Sequence, residues 1–129
     1  MNAACTLILA AVGLIHLLPV TGVLGGDHLL TLYGLQANEP SLSILLRHRA
    51  MLFAIVGLLL IGGALHTPWR WPALVTGLLS MLSFIVIATL EGGGNAAIAR
   101  VVHVDLIASV GLLMVLIHDI ATTTSRAPA

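Results

Sequence analysis

The sequence predicts an all-α membrane protein: an up-down bundle of four transmembrane helices with a short amphipathic helix in the first loop. Of its 129 residues, 59% are hydrophobic and only 8% are charged, whereas a soluble domain needs about 25% charged residues. Four apolar runs approach the roughly 20 residues that cross a bilayer as a helix. Their connections are long, short and short, which suits a bundle forming one domain over residues 1–129.

The four spans are predicted at approximately residues 3–20, 44–65, 72–90 and 98–117. The first resembles a signal peptide, but no basic residue precedes its apolar run, so we expect a retained helix. In the loop "HTPWRWP", Trp69 and Trp71 flank Arg70, as in an aromatic belt at the water boundary. In the next loop, glycines 92–94 end the third span and Asn95 is expected to cap the fourth.

The first loop contains "GGDHLLTLYGLQANEPS", which is too apolar for a plain linker. Asp27 is a candidate N-cap, and Gly34 suits the left-handed residue that follows a helix. We therefore expect a short helix between them, lying on the membrane surface or dipping in as a lid.

Most ionisable residues fall on one side of the predicted bundle. The end of the first span, the start of the second, the end of the third and the start of the fourth share that side. Ionisable groups inside a membrane are rare and tend to mark sites or pathways. The sequence thus predicts a polar pocket there, with the candidate residues His16, Arg47, His48, Arg49, Arg100, His103 and Asp105.

Asp105 is the deepest acid of this cluster, and Arg49 or Arg47 is its expected partner across the bundle. The two arginines diverge by about 200° around a helix, so at least one must snorkel or meet a neighbouring helix. A simpler interpretation is that residues 47–49 only anchor the second span at headgroup depth. For the fourth span, starting after Asp105 leaves residues 106–117, which are too few to cross a bilayer.

A pocket of this kind suits a small amphiphile, either a lipid or a quinone-like molecule. Arginine would hold an anionic or carbonyl head, the helices would hold the tail, and His48, His103 or Asp105 would shuttle protons if the head reacts. Whether the protein is an enzyme stays open. The alternatives are a non-enzymatic membrane subunit or assembly factor, and a small proton-coupled transporter that uses Asp105 as its intramembrane acid.

No cofactor is predicted. Haem stays open because membrane four-helix cytochromes use histidine pairs, although the rise from His48 to His66, about 27 Å, is long for a stacked pair of haems. Cysteine clusters and His-x-x-x-His pairs, the usual signs of zinc, are absent from the sequence. Five arginines balance five acids, without lysine, so no basic field attracts nucleic acid. Expected partners are the lipid bilayer, a lipid or quinone ligand, and further copies or a larger membrane complex.

Four spans place both termini on the same side of the membrane. Under the positive-inside rule, Arg70 and Arg126 favour cytoplasmic termini, whereas Arg47, Arg49 and Arg100 favour the reverse. We favour cytoplasmic termini, because the latter three arginines belong to the predicted site.

The motifs "GLIHLLP", "LYG", "LLRHRAMLF" and "HVDLIAS" resemble a family of small bacterial four-helix inner-membrane proteins, loosely similar in length and layout to DoxX-like proteins. The resemblance covers most of the chain and implies a multi-pass protein of the bacterial inner membrane, but no activity. Similar sequences sometimes carry the label phosphopantetheine adenylyltransferase, which is a soluble α/β enzyme with a His-x-Gly-His type motif. This chain lacks that motif, and four spans leave no room for a parallel sheet, so no catalytic residue is carried over.

Overall fold

The computed structural model describes residues 2–34 and 39–125, in which five α-helices and no strands occur. Arg126, used above to argue orientation, lies outside these residues. The helices are α1 (Ala3–Leu17), α2 (Gly26–Tyr33), α3 (Pro40–Leu65), α4 (Arg70–Leu90) and α5 (Ala96–Thr124). Two 3₁₀ segments join them, Leu18–Leu24 after α1 and Thr67–Trp69 before α4.

Four helical segments are long and apolar enough to cross a membrane, which confirms the predicted fold class. They are α1 with its 3₁₀ extension, α3, α4 with the preceding 3₁₀ turn, and α5. All four extend past the predicted bounds. The fourth, for instance, spans 29 residues, about 43 Å at the helical rise of roughly 1.5 Å per residue.

The start of α3 also differs from the prediction, because the helix begins at Pro40 rather than near residue 44. The Glu39 carboxylate accepts hydrogen bonds from the backbone N–H groups of Ser41 (3.0 Å) and Leu42 (2.8 Å). These bonds hold the pKa of Glu39 below its usual range. Proline is well suited to the first helical position, where no N–H is needed. The cap therefore places residues 47–49 two turns inside the helix.

The predicted loop helix is present as α2, and Gly34 ends it with a left-handed φ of 64°. Its N-cap is Gly25 rather than Asp27, which lies in the first turn, where the helix dipole favours an acid. Asn95 ties α2 to α5: its Nδ2 donates to the Tyr33 carbonyl oxygen at 2.8 Å. As expected, the Asn95 side-chain oxygen also caps α5. The loop helix is therefore held against the start of α5.

The tightest packing in the bundle joins α1 to α3 at two facing glycines. A Cβ added to Gly13 would lie 2.9 Å from the Gly57 carbonyl oxygen, and one added to Gly57 would lie 2.8 Å from the Gly13 oxygen. Small residues allow this close approach of backbones in lipid, where close packing rather than the hydrophobic effect drives association. In contrast, α1 makes few contacts with α5, which packs against α4.

An ion pair joins α4 to α5 at the end of the bundle away from α2. Arg70 Nη1 lies 3.0 Å from Asp119 Oδ1, and both side chains are largely buried. His118 Nδ1 lies 3.6 Å from the same carboxylate oxygen. Trp69 and Trp71 are exposed, as a belt requires, but Arg70 is buried between them at 6% exposure. The sequence pattern predicted Arg70 in a loop at the water boundary. In the structure Arg70 is instead the first residue of α4, and it is buried because it pairs with Asp119 near the end of α5.

We predict that Gly13→Val destabilises the bundle by about 1–3 kcal/mol, because the added side chain must push α1 and α3 apart. Ala4→Val, at an exposed position of the same helix, serves as the control and should change stability little. Chemical unfolding in detergent, followed by circular dichroism, measures both. Equal unfolding curves for the two variants would contradict the glycine contact.

We predict that Arg70→Met destabilises the fold by about 3–5 kcal/mol, because it leaves the Asp119 carboxylate buried without its cation. The double variant Arg70→Met/Asp119→Leu should recover much of this loss, since neither charge then remains. Thermal unfolding of the two single variants and the double variant measures the coupling. Additive losses would indicate that the two side chains do not interact.

Candidate functional site

A cavity of about 350 Å³ lies between the end of α1, the loop helix α2 and the first half of α5. We call it the head cavity. Its polar lining consists of His16, Thr31, Tyr33, Arg100 and Asp105, and Phe53 of α3 closes its inner side. Apolar side chains from α1, its 3₁₀ extension, α2 and α5 form the rest of the wall. Three of the predicted site residues therefore line one cavity.

Asp105 lies in this cavity with 6% of its surface exposed. Within residues 2–34 and 39–125, the ion pairs all involve Asp119 at the other end of the bundle, so Asp105 has no cation in direct contact. The direct Asp105–Arg49 pair expected from the sequence does not form. A buried carboxylate without a hydrogen-bonded partner is costly in an apolar interior. The position therefore favours a group that donates hydrogen bonds to Asp105 from within the cavity.

Arg49 lies beside the head cavity, where three aromatic rings surround its guanidinium. The Cζ atom is 4.4 Å from the centroid of the Phe84 ring, 5.1 Å from that of Phe53 and 5.6 Å from that of Tyr33. Cation–π attraction of this kind stabilises a partly desolvated arginine. Arg49 also lines a smaller cavity of about 210 Å³ with Ser80 and Ser83. Phe53 lines both cavities, whereas Arg49 lines only the smaller one.

The ring of His16 presents a hydrogen-bond acceptor. Its Nδ1 lies 2.9 Å from the Val12 carbonyl oxygen, which can only accept, so Nδ1 carries the proton of this bond. In the neutral ring, Nε2 is then a bare acceptor. Nε2 is buried without a partner among the described residues, and the whole residue is 3% exposed. His16 is thus prepared to accept a hydrogen bond from a molecule in the cavity that it lines.

Tyr33 contributes a second unpaired polar atom. Its hydroxyl is buried and has no hydrogen-bond partner in the part of the chain that the structure describes. Burial raises the pKa of the Tyr33 phenol, the Arg49 charge opposes that rise, and the Asp105 charge adds to it. The phenol therefore stays protonated and can both donate and accept a hydrogen bond.

Most of the remaining predicted residues lie outside the head cavity. Arg47 donates from Nε to the Val23 carbonyl oxygen at 2.9 Å, which ties α3 to the 3₁₀ extension of α1. His48 is exposed. Arg100 is exposed at the edge of the head cavity. His103 is exposed as well, and its Nδ1 donates to the Ala99 carbonyl oxygen at 2.7 Å. The seven residues are therefore dispersed: His16, Arg100 and Asp105 line the head cavity, and Arg47, His48, Arg49 and His103 do not.

The aromatic residues of the site were not among the predicted site residues. The chain contains two phenylalanines and one tyrosine, and all three surround Arg49. Arg49 and Phe53 are four residues apart, so a helix brings their side chains together. In a chain with so few aromatic rings, this spacing could have indicated the contact between the guanidinium and the ring. Tyr33 and Phe84 belong to other helices, so only the fold shows that their rings also lie beside Arg49.

Among the described residues, no three His, Cys, Asp or Glu side chains gather as metal ligands would. No family model, curated protein or solved structure matches the chain.

We predict that the pKa of Tyr33 depends on the charges of Asp105 and Arg49. Asp105→Asn should lower the pKa of Tyr33, because a carboxylate nearby disfavours the phenolate, and Arg49→Met should raise it, because the cation favours the phenolate. Ultraviolet titration of the phenol follows this residue alone, since the chain has no other tyrosine. Glu91→Gln, at the exposed end of α4, is the control. Identical titrations for all variants would contradict the arrangement.

Proposed function

We propose that the protein binds a small amphiphile, a lipid or a quinone-like molecule, with its polar head in the head cavity. The observation that carries the proposal is the set of unpaired polar groups on an otherwise apolar wall. Asp105 has no ion-pair partner, and the buried His16 Nε2 and Tyr33 hydroxyl have no hydrogen-bond partner among the described residues. Buried polar groups are normally satisfied, so a bound molecule or ordered water must complete this site.

The donors and acceptors of the wall describe the head that would fit. The inner groups, Asp105 and His16, accept hydrogen bonds, so the inner end of the head must donate them, as a hydroxyl, phenol or amine does. Arg100 at the edge suits a carbonyl or anionic oxygen on the outer end of the same head. A cavity of about 350 Å³ lies within the size range of small-molecule sites. Conversion of the ligand is not required by any of these features.

We place the protein in the bacterial inner membrane as a multi-pass protein with both termini in the cytoplasm. The four apolar helical segments support a membrane location. Cytoplasmic termini are proposed from the arginine pattern of the sequence alone, since Arg70 is buried at the start of α4 and Arg49 and Arg100 lie at cavities.

We predict that the purified protein retains an amphiphile detectable as a mass adduct by native mass spectrometry. Asp105→Asn should reduce occupancy roughly 10- to 100-fold, because a hydrogen bond to a charged acceptor contributes about 1.5–3 kcal/mol. A short-chain quinol and a monoacylglycerol, each added to the solution, test which ligand class displaces the adduct. The class that displaces it at lower concentration identifies the head.

Glu91→Gln is the matched control, since it also removes one acid but lies outside the cavity, and it should keep the adduct. An unliganded protein that neither added amphiphile occupies would contradict the proposal. Purification with a fixed protein partner and an empty cavity would instead favour a membrane subunit.

A further inference from the structure

A second cavity lies beside the head cavity. It has a volume of about 380 Å³ and lies between α1 and α5. The residues lining it are Ile8, Ala11, Val12, Ile15, Val104, Ile107, Ala108 and Gly111, none of which has a polar side chain. We call it the tail groove. Ile15 and Val104 line both spaces, so the two are neighbours between α1 and α5.

The packing of the helices explains why this groove is open. Because α1 is drawn against α3 at Gly13 and Gly57, it makes few contacts with α5. Ile15 is 36% exposed, Val104 37% and Ile107 74%, so the groove faces outward, towards the lipid that surrounds a membrane bundle. Along α1 it extends from Ile8 to Ile15, about 10 Å at the helical rise of roughly 1.5 Å per residue.

Gly111 keeps the far end of the groove free. A Cβ at this position would lie 3.2 Å from Ile8 Cγ2, with no other side chain or distant backbone atom of the described residues within 4 Å. A larger residue would therefore extend into the groove rather than into the core. Ala11 and Ala108 line the same groove with small side chains.

We infer that a single apolar chain lies in the tail groove, and that the ligand enters the head cavity sideways from the bilayer, between α1 and α5. This inference rests on the proposed function, because the tail belongs to the amphiphile whose head meets Asp105 and His16. The position of an apolar groove beside a cavity lined by His16, whose buried Nε2 has no partner among the described residues, favours one molecule that occupies both. The lining of the groove comes from two helices alone, α1 and α5, which suits one apolar chain better than a diacyl lipid seated with both tails.

The probe is a monoacylglycerol that carries a diazirine near the end of its acyl chain, added to the protein in nanodiscs. After illumination, peptide mass spectrometry locates the label. We expect labelling at residues of α1 and α5 that line the groove, centred on Ile8 and Gly111. A diacyl phospholipid with the same diazirine should label the outer, exposed faces of all helices without this preference.

Gly111→Leu should reduce the groove labelling about tenfold or more, since the added side chain occupies the space of the acyl chain and overpacking is unfavourable. Ala11→Leu, at an exposed position on the α1 side of the groove, is a second blocking variant in case the first unfolds. Val110→Leu enlarges an exposed neighbour outside the groove and should leave labelling unchanged.

Different results would contradict the tail groove and the head cavity. If the wild-type protein keeps its mass adduct but Gly111→Leu and Ala11→Leu label as strongly as Val110→Leu, the tail groove is wrong and the head cavity stands. If Asp105→Asn has no effect on the adduct either, the head site fails as well. Cross-links between α1 of one copy and α5 of another would show that a second copy fills the groove, which would overturn the inference.

Discussion

Because neither Gly13 nor Gly57 carries a Cβ, α1 and α3 touch through their backbones, and this contact decides which other helices α1 can reach. In lipid, such close packing is a main source of helix association. Drawn to α3, α1 separates from α5, which is held to α4 by packing and by the Arg70–Asp119 pair. The head cavity and the tail groove both lie in the gap that results. Asp105 and Arg100 of α5 therefore line the head cavity.

This gap explains why the charges of the site are separated. Arg49 lies outside the head cavity, among three rings that replace some of its lost hydration, while Asp105 lies in the cavity and has no cation in direct contact among the described residues. A pair in direct contact would satisfy both groups and leave nothing for a ligand. Held apart, the arginine balances part of the acid's charge at a distance, while the carboxylate oxygens stay available. The His16 Nε2 and the Tyr33 hydroxyl add to a wall prepared for hydrogen bonds.

The sequence predicted the fold well because its signals were local. Apolar runs locate the spans, Asn95 caps α5, and Gly34 ends the loop helix as its type suggests. The predicted site was less complete, since side-chain direction depends on which helices meet. Helical periodicity predicted that Arg47 and Arg49 point in different directions. Only the packing of the helices shows that Arg47 binds the Val23 carbonyl oxygen and that Arg49 lies over the Phe84 ring. The burial of Arg70 likewise depends on Asp119, which is 49 residues away in the chain.

We expect the Asp105 carboxylate to contact a bound molecule rather than an arginine of the protein. An experimental structure of the protein in nanodiscs formed from its own membranes tests this most directly. We expect non-protein density in the head cavity, within hydrogen-bond distance of the Asp105 carboxylate and His16 Nε2, extending between α1 and α5. A closed cavity in which Asp105 contacts Arg49 or Arg100 directly would contradict it.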